Sequence, residues 1–101
     1  MAFARIGIFE VPREKMSAIV GLFRDQVTPA FAKIDGFLGY QAFTEDEAGR
    51  YVGVSYWTSL DALHASAATA RDARDDAARL GASIVGEPFL VREAFDTRKP
   101  T

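Results

Sequence analysis

One strand with no wet side constrains this chain more than any other feature. Residues Phe3 to Val11 alternate, with Phe3, Gly7, Phe9 and Val11 on one face and Ala4, Ile6 and Ile8 on the other. Strand side chains point to opposite faces in turn, so a strand apolar on both faces must be covered on both. Any fold built on it needs helices against one side of a sheet and something equally apolar against the other.

The rest of the chain supplies the helices. Pro12 ends the strand and opens a helix, where its missing N–H costs nothing. Met16, Ile19, Val20, Phe23, Val27, Phe31 and Ile34 recur at steps of three and four, which predicts one helix from about Arg13 to Lys33. Pro29 lies inside it and predicts a kink. Asp35-Gly36 is the stop signal. Two strands follow, Phe37 to Thr44 and Arg50 to Trp57. The five-residue polar turn Glu45 to Gly49 between them reads as an antiparallel hairpin. A second helix starts at Leu60, with Ser59 placed to cap it and Asp61 at the positive end of its dipole. It runs to about Leu80, either unbroken or divided between Ser66 and Thr69. Pro88 precedes a fourth strand, Phe89 to Asp96, and the polar tail Thr97 to Thr101 is expected to be loose.

Strand, helix, strand, strand, helix, strand is the ferredoxin-like βαββαβ plan. It is an α+β fold with a four-stranded antiparallel sheet and both helices on one face. The chain's 101 residues suit one domain, residues 1–101, with an ordered core of about 3–96. The helices leave the second sheet face bare, an apolar patch larger than monomers usually show. The expectation is a homodimer through the sheet faces.

The stretch RYVGVSYWTSLDALH, Arg50 to His64, is where a small-molecule site is expected. Tyr51, Gly53, Ser55 and Trp57 share one strand face, running aromatic, small, small, aromatic. Unless a neighbour fills the space, a cavity lies in front of Gly53 and Ser55. His64, the only histidine, follows one helical turn after Leu60 and is read as facing inward.

Other functions find little support. A net charge of -2 and a pI near 5.3, with no stripe of Lys and Arg, give no basis for nucleic-acid binding. Without cysteine there is no disulfide, thiolate metal site or thiol nucleophile. A single histidine with no neighbouring histidine or carboxylate cluster argues against a metal site. No apolar run approaches the roughly 20 residues that cross a bilayer, so no membrane partner is expected. The regular alternation of the N-terminal segment does not read as a signal peptide, and the expected location is cytoplasmic. Gly36 and Gly39 follow a helix, the wrong context for a phosphate loop, and no serine sits on a glycine-flanked elbow.

Taken together, the chain resembles the antibiotic biosynthesis monooxygenase domain, one of the dimeric α+β barrel families. The matching features are Pro29 late in the first helix, the junction Asp35-Gly36-Phe37-Leu38-Gly39-Tyr40, the Arg50 to Trp57 strand ending in tryptophan, and the short helix Ser59 to His64 after it. They span about Phe3 to Phe95. The resemblance implies a two-fold barrel of two sheets, with a pocket in each protomer between sheet and helices. It also implies one of several activities: cofactor-free oxidation of aromatic polyketide intermediates, haem degradation, isomerisation or none. The quinone-forming and haem-degrading members use an asparagine beside the tryptophan, and this chain contains none. Gly53 stands four before Trp57, where the quinone-forming branch carries it. The first-strand position of the haem branch falls among Arg5, Ile6 and Gly7. Ser66 stands nine after Trp57, where many relatives have histidine. Only Trp57 carries over, which argues against haem degradation.

Two readings follow. In the first, the protein is a monooxygenase without metal or other cofactor, acting on an aromatic or polyketide-like molecule. Trp57 and His64 are the catalytic candidates, the indole N–H donating to a substrate oxygen and the imidazole taking a phenolic proton. Tyr51, Gly53, Ser55 and Phe23 form the binding surface, with Tyr51 stacking on the ligand and Phe23 as a roof. In the second, the protein is a non-catalytic dimer that binds a small hydrophobic ligand or serves as an accessory subunit. Each residue also has a plainer role: Trp57 and Phe23 as core aromatics, His64 as a partly buried ring. Tyr40 and Tyr56 are assigned to the sheet or the dimer seam. Arg5 and Arg92 either bind an anionic group or pair with Glu10 or Glu93 at an exposed edge, the commoner outcome.

Overall fold

The computed structural model describes residues 2–98. The elements in chain order are β1 (Phe3–Glu10), a 3-10 turn (Arg13–Lys15), α1 (Met16–Leu22), a π turn (Phe23–Val27), α2 (Thr28–Ala32), β2 (Phe37–Glu45), β3 (Arg50–Trp57), α3 (Leu60–Ala65), α4 (Ala67–Arg79), β4 (Ser83–Ile84) and β5 (Phe89–Arg92). The sheet is antiparallel, in the order β2-β3-β1, and both β4 and β5 pair with the free edge of β1. This is the expected ferredoxin-like arrangement with one difference. The last strand comes in two pieces, so the sheet has five strands. It also stops at Arg92 rather than Asp96. Of the expected tail, residues 99–101 lie outside the described residues.

The first helix is one rod built in three turn types. Pro29 has no N–H to give the carbonyl four residues back, and its ring crowds that carbonyl. The preceding turn widens into the π form, and Thr28 Oγ1 donates to the Phe23 carbonyl at 2.8 Å. The helix absorbs the proline by widening just before it. The second helix is divided at Ser66, which is fully buried. Ser66 Oγ donates to the Leu63 carbonyl at 2.5 Å. Such back-bonding competes with the helical ladder and lets α4 leave in a new direction. At the head of α3, Ser59 accepts from the Ala62 N–H at 3.1 Å, the expected cap.

Packing follows the face pattern. Phe9, Val11, Tyr51 and Trp57 from the sheet meet Ile19, Leu22, Phe23, Val27 and Phe31 from the first helix, and Leu63, Ala70, Ala73 and Ala77 from α3 and α4. The alanines let α4 approach the sheet closely. Full burial of a large apolar side chain contributes about 1.5–3 kcal/mol, so this face supplies most of the folding energy. The opposite face carries Ile6, Ile8, Val52, Val54 and Tyr56, flanked by Phe43 and Phe89, which are 51% and 55% exposed.

Candidate functional site

The helix-side face of β3 is the floor of the site. The β1–β3 register sets Arg5 against Ser55 and Gly7 against Gly53. A bulge between Phe37 and Gly39 shifts β2 by one residue, so that Tyr40 stands opposite Ser55. A one-residue shift turns a side chain to the other face of a sheet. Tyr40 therefore points into the helix side, not toward a dimer seam as the unbulged alternation implied.

Tyr40 occupies part of the space that Gly53 leaves. A Cβ on Gly53 would collide with Tyr40 Oη and stand 3.2 Å from Tyr51 Cε1. The two phenol oxygens share a hydrogen bond of 2.9 Å. Tyr40 and Tyr51 also stack against Phe23, with ring centroids 5.9 and 4.9 Å away. Burial holds the Tyr40 hydroxyl well above the ordinary phenol range, reinforced by Tyr51 beside it. Burial raises Tyr51 to about 12, against a smaller opposing effect of the hydrogen bond from Tyr40. Both are neutral hydroxyls at physiological pH.

Trp57 is fully buried, edge-on to Phe31 and Phe37, with ring centroids at 5.5 and 5.3 Å. Its Nε1–H donates to Ser55 Oγ at 2.9 Å. The indole N–H expected to reach a substrate is engaged inside the protein, and the Ser55 hydroxyl is engaged with it.

What remains open is a cavity between the sheet and α4. Its floor is Gly7, Gly53 and Ser55, and its aromatic walls are Phe9, Phe23, Phe31 and Tyr40. Arg5, Ala70, Ala73, Arg74, Ile84 and Pro88 complete its lining. It leaves about 40 Å³ for the centre of a water molecule, and about 380 Å³ of non-atom space counting the part open to solvent. One water needs only roughly 10–15 Å³ by the first measure. Of the expected site residues, Phe23, Gly53 and Ser55 line this space. Tyr51 and Trp57 lie behind it, and His64 lies outside it. His64 is exposed. Its inward placement was inferred from Leu60, but Leu60 is itself 47% exposed and the buried residue of α3 is Leu63. The helix is rotated from the phase that Leu60 suggested.

Of two cationic residues at the cavity, sequence reasoning offered Arg5 as one of two readings, an anion binder or an edge ion pair, and missed Arg74. Arg5 and Arg74 both line the cavity, from β1 and α4. Arg5 NH2 donates to the Leu63 carbonyl at 3.1 Å and to Ser66 Oγ at 3.2 Å. Its Nε is enclosed and has no hydrogen-bond partner. Burial, then the charge of Arg74, lowers the Arg5 guanidinium from its usual value. Among the described residues no carboxylate forms an ion pair with either arginine. Arg5 thus pairs with neither Glu10 nor Glu93. Arg5 was visible in the sequence as a lone charge in an apolar strand, whereas Arg74 sits in a helix full of charge and carried no signal. Among the described residues no group of three or more His, Asp or Glu side chains could hold a metal ion, and no helix is long and apolar enough to cross a membrane.

Comparison with known proteins places this geometry. A family model described as antibiotic biosynthesis monooxygenase matches residues 2–75. SnoaB, a cofactor-independent oxygenase from Streptomyces nogalater, is 17% identical with a TM-score of 0.71, over 97% of this chain and 98% of that one. The ActVA-Orf6 monooxygenase of Streptomyces coelicolor, solved in complex with Nanaomycin D, is 19% identical with a TM-score of 0.69, over 99% and 93%. These likenesses speak to the fold. Rv2558 of Mycobacterium tuberculosis, an uncharacterized protein, is 33% identical over 70 residues, covering 67% of this chain. The chain spans 30% of that relative's length.

Proposed function

The chain belongs to the antibiotic biosynthesis monooxygenase family, and from that premise we propose that it is a cofactor-independent monooxygenase acting on a small aromatic or polyketide-like molecule. The substrate binds in the cavity over Gly53. The observation that carries this reading is the cavity itself: a floor of small residues with four aromatic rings around it, part of it open to solvent. Such walls suit a flat, electron-rich ring. A phenolate can pass an electron to dioxygen unaided. Recombination at a ring carbon forms a C–O bond, and loss of water from the hydroperoxide leaves a carbonyl. One oxygen atom enters the product, the other leaves as water, and the substrate supplies all four electrons. The protein has to favour the phenolate, hold it and keep water away.

The residue roles change from those expected on sequence grounds. Trp57 and Tyr51 act as a rigid backing, since their polar atoms are engaged with Ser55 and Tyr40. Phe23, Gly53 and Ser55 form the binding surface. His64 is not placed to take a proton, so His64→Ala should leave turnover intact. The working unit is a homodimer, two copies meeting through the apolar sheet face that carries Phe43 and Phe89.

The test is oxygen uptake with a panel of dihydroxynaphthalenes, without added metal or flavin, using labelled dioxygen. The expected result is uptake above the buffer rate with one labelled atom in the product. Uptake no faster than buffer across the panel would remove the enzymatic reading. One observation favours a second reading, a non-catalytic dimer that binds the same class of ligand: no uncommitted proton acceptor lines the cavity. Saturable binding without oxygen uptake would select it.

A further inference from the structure

We infer that the cavity is an anion site: Arg5 and Arg74 together hold a compact oxyanion, a carboxylate or a phenolate, attached directly to the ligand's aromatic ring. The inference deepens the proposed function, resting on its ring-binding cavity and adding the chemical group the ring must carry.

Three observations converge. Arg5 and Arg74, from elements far apart in the chain, both line one apolar cavity, and the charge of Arg74 is near enough to act on Arg5. Neither has a carboxylate partner among the described residues, although the chain as a whole has more acidic than basic side chains, 14 against 12. The ion pairs seen among the described residues lie elsewhere. Buried and half-buried charges are ordinarily paired, and a site that brings two like charges together without a counter-ion lacks one. Third, Arg5 is aimed. The Leu63 carbonyl and Ser66 Oγ fix its NH2 group, and Ser66 is held in turn by its own bond to Leu63. The Nε–H is left enclosed and unbonded. A planar guanidinium held at its NH2 has a fixed plane, so its NH1 group, and not the enclosed Nε, is the donor left for an oxygen of a carboxylate or a phenolate.

The chemistry joins the two halves of the site. The aromatic walls take the ring, and the cationic end takes its oxyanion. For a phenol, two guanidiniums favour the ionised form. Ionisation then needs no side-chain base: the proton leaves to water, and the phenolate is the form that reacts with dioxygen. The absence of His64 from the cavity is thereby accounted for.

The test uses calorimetric binding of benzoate against its neutral isostere benzamide, at constant ionic strength, to the full chain. Benzoate should bind about tenfold or more tightly than benzamide, the margin a charge-assisted contact gives. Arg74→Gln should weaken benzoate by about that factor and leave benzamide unchanged. Arg74 is half-buried and carries no internal hydrogen bond, so this variant keeps the fold. Arg5→Met should abolish the remaining preference, with its folding checked by the buried Trp57 emission. A second arm uses 4-nitrophenol, whose yellow anion reports its own ionisation and whose pKa should fall on binding. Benzoate preference without a 4-nitrophenol shift identifies the oxyanion as a carboxylate. The shift without the preference identifies a phenolate. Equal affinities with no shift, no saturable binding up to the solubility of the amide, or a preference untouched by Arg74→Gln would each overturn the inference. The two proposals fail separately. An acid preference without oxygen uptake leaves the anion site standing alone, and oxygen uptake without an acid preference leaves the monooxygenase standing without it.

Discussion

Gly53 shows how closely a single position is fitted. It has no room for a methyl group, because the Tyr40 hydroxyl stands where that methyl would be. Gly53→Ala must displace Tyr40 and break its bond to Tyr51. The expected loss is about 1–3 kcal/mol, the usual cost of overpacking a core, read from urea denaturation. The tyrosine pair also predicts an alkaline weakness. Tyr51 titrates at 10.0 when unperturbed and at about 12 in the fold, so the folded state holds its proton more tightly than the unfolded chain. That contribution is complete below pH 10 and disappears as pH rises through about 12, on the order of 2–3 kcal/mol at most. Denaturation midpoints should hold to about pH 10 and fall from there to about pH 12, roughly the span the linkage sets. In Tyr40→Phe the fall should be altered, because the bond that opposes the rise is gone.

At the level of elements, the sequence displayed the order of strands and helices and the inner and outer faces of β1 and β3, since periods of two and of three to four are written directly in the positions of Phe, Ile and Val. Three things were not legible, each for a physical reason. The bulge at 37–39 depends on pairing with β3, and without it Tyr40 counts to the wrong face. The rotation of α3 was hidden because an alanine-rich helix has few large residues to mark its inner side, and Leu60 marked the wrong one. The placing of Arg5 and Arg74 on one cavity joins residues 69 positions apart and exists only in the tertiary fold. Pro29 was legible as a disturbance, but not as a π turn. That turn makes its own prediction. Thr28→Val keeps the shape of the side chain and deletes the bond to the Phe23 carbonyl, which still receives the Thr28 N–H. The expected cost is about 0.5–1.5 kcal/mol by thermal denaturation, with the helix retained in circular dichroism.

For the whole molecule, the decisive fact is a sheet with one face packed by helices and the other apolar, where Val54 is buried under the chain's own last residues but Phe43 and Phe89 stay exposed. Phe43 lies on that second face, so Phe43→Glu would place a charge within the proposed dimer contact, on its β2 side. Sedimentation should then show a species of 11.0 kDa in place of twice that mass, with the helical signal unchanged. A wild-type chain that sediments at 11.0 kDa would remove the dimer. The edge of the sheet has a consequence of its own. The outermost strand is broken between Ile84 and Phe89, with Gly86 in the left-handed region, and the two residues beside the break that line the cavity are Ile84 and Pro88. The interruption leaves β1 paired on both sides of it, with Ser83–Ile84 and with Phe89–Arg92, while Val85 N–H still donates to the Ile8 carbonyl at 2.7 Å, so the cavity wall at this edge is carried by Ile84 and Pro88 and not by a continuous ladder.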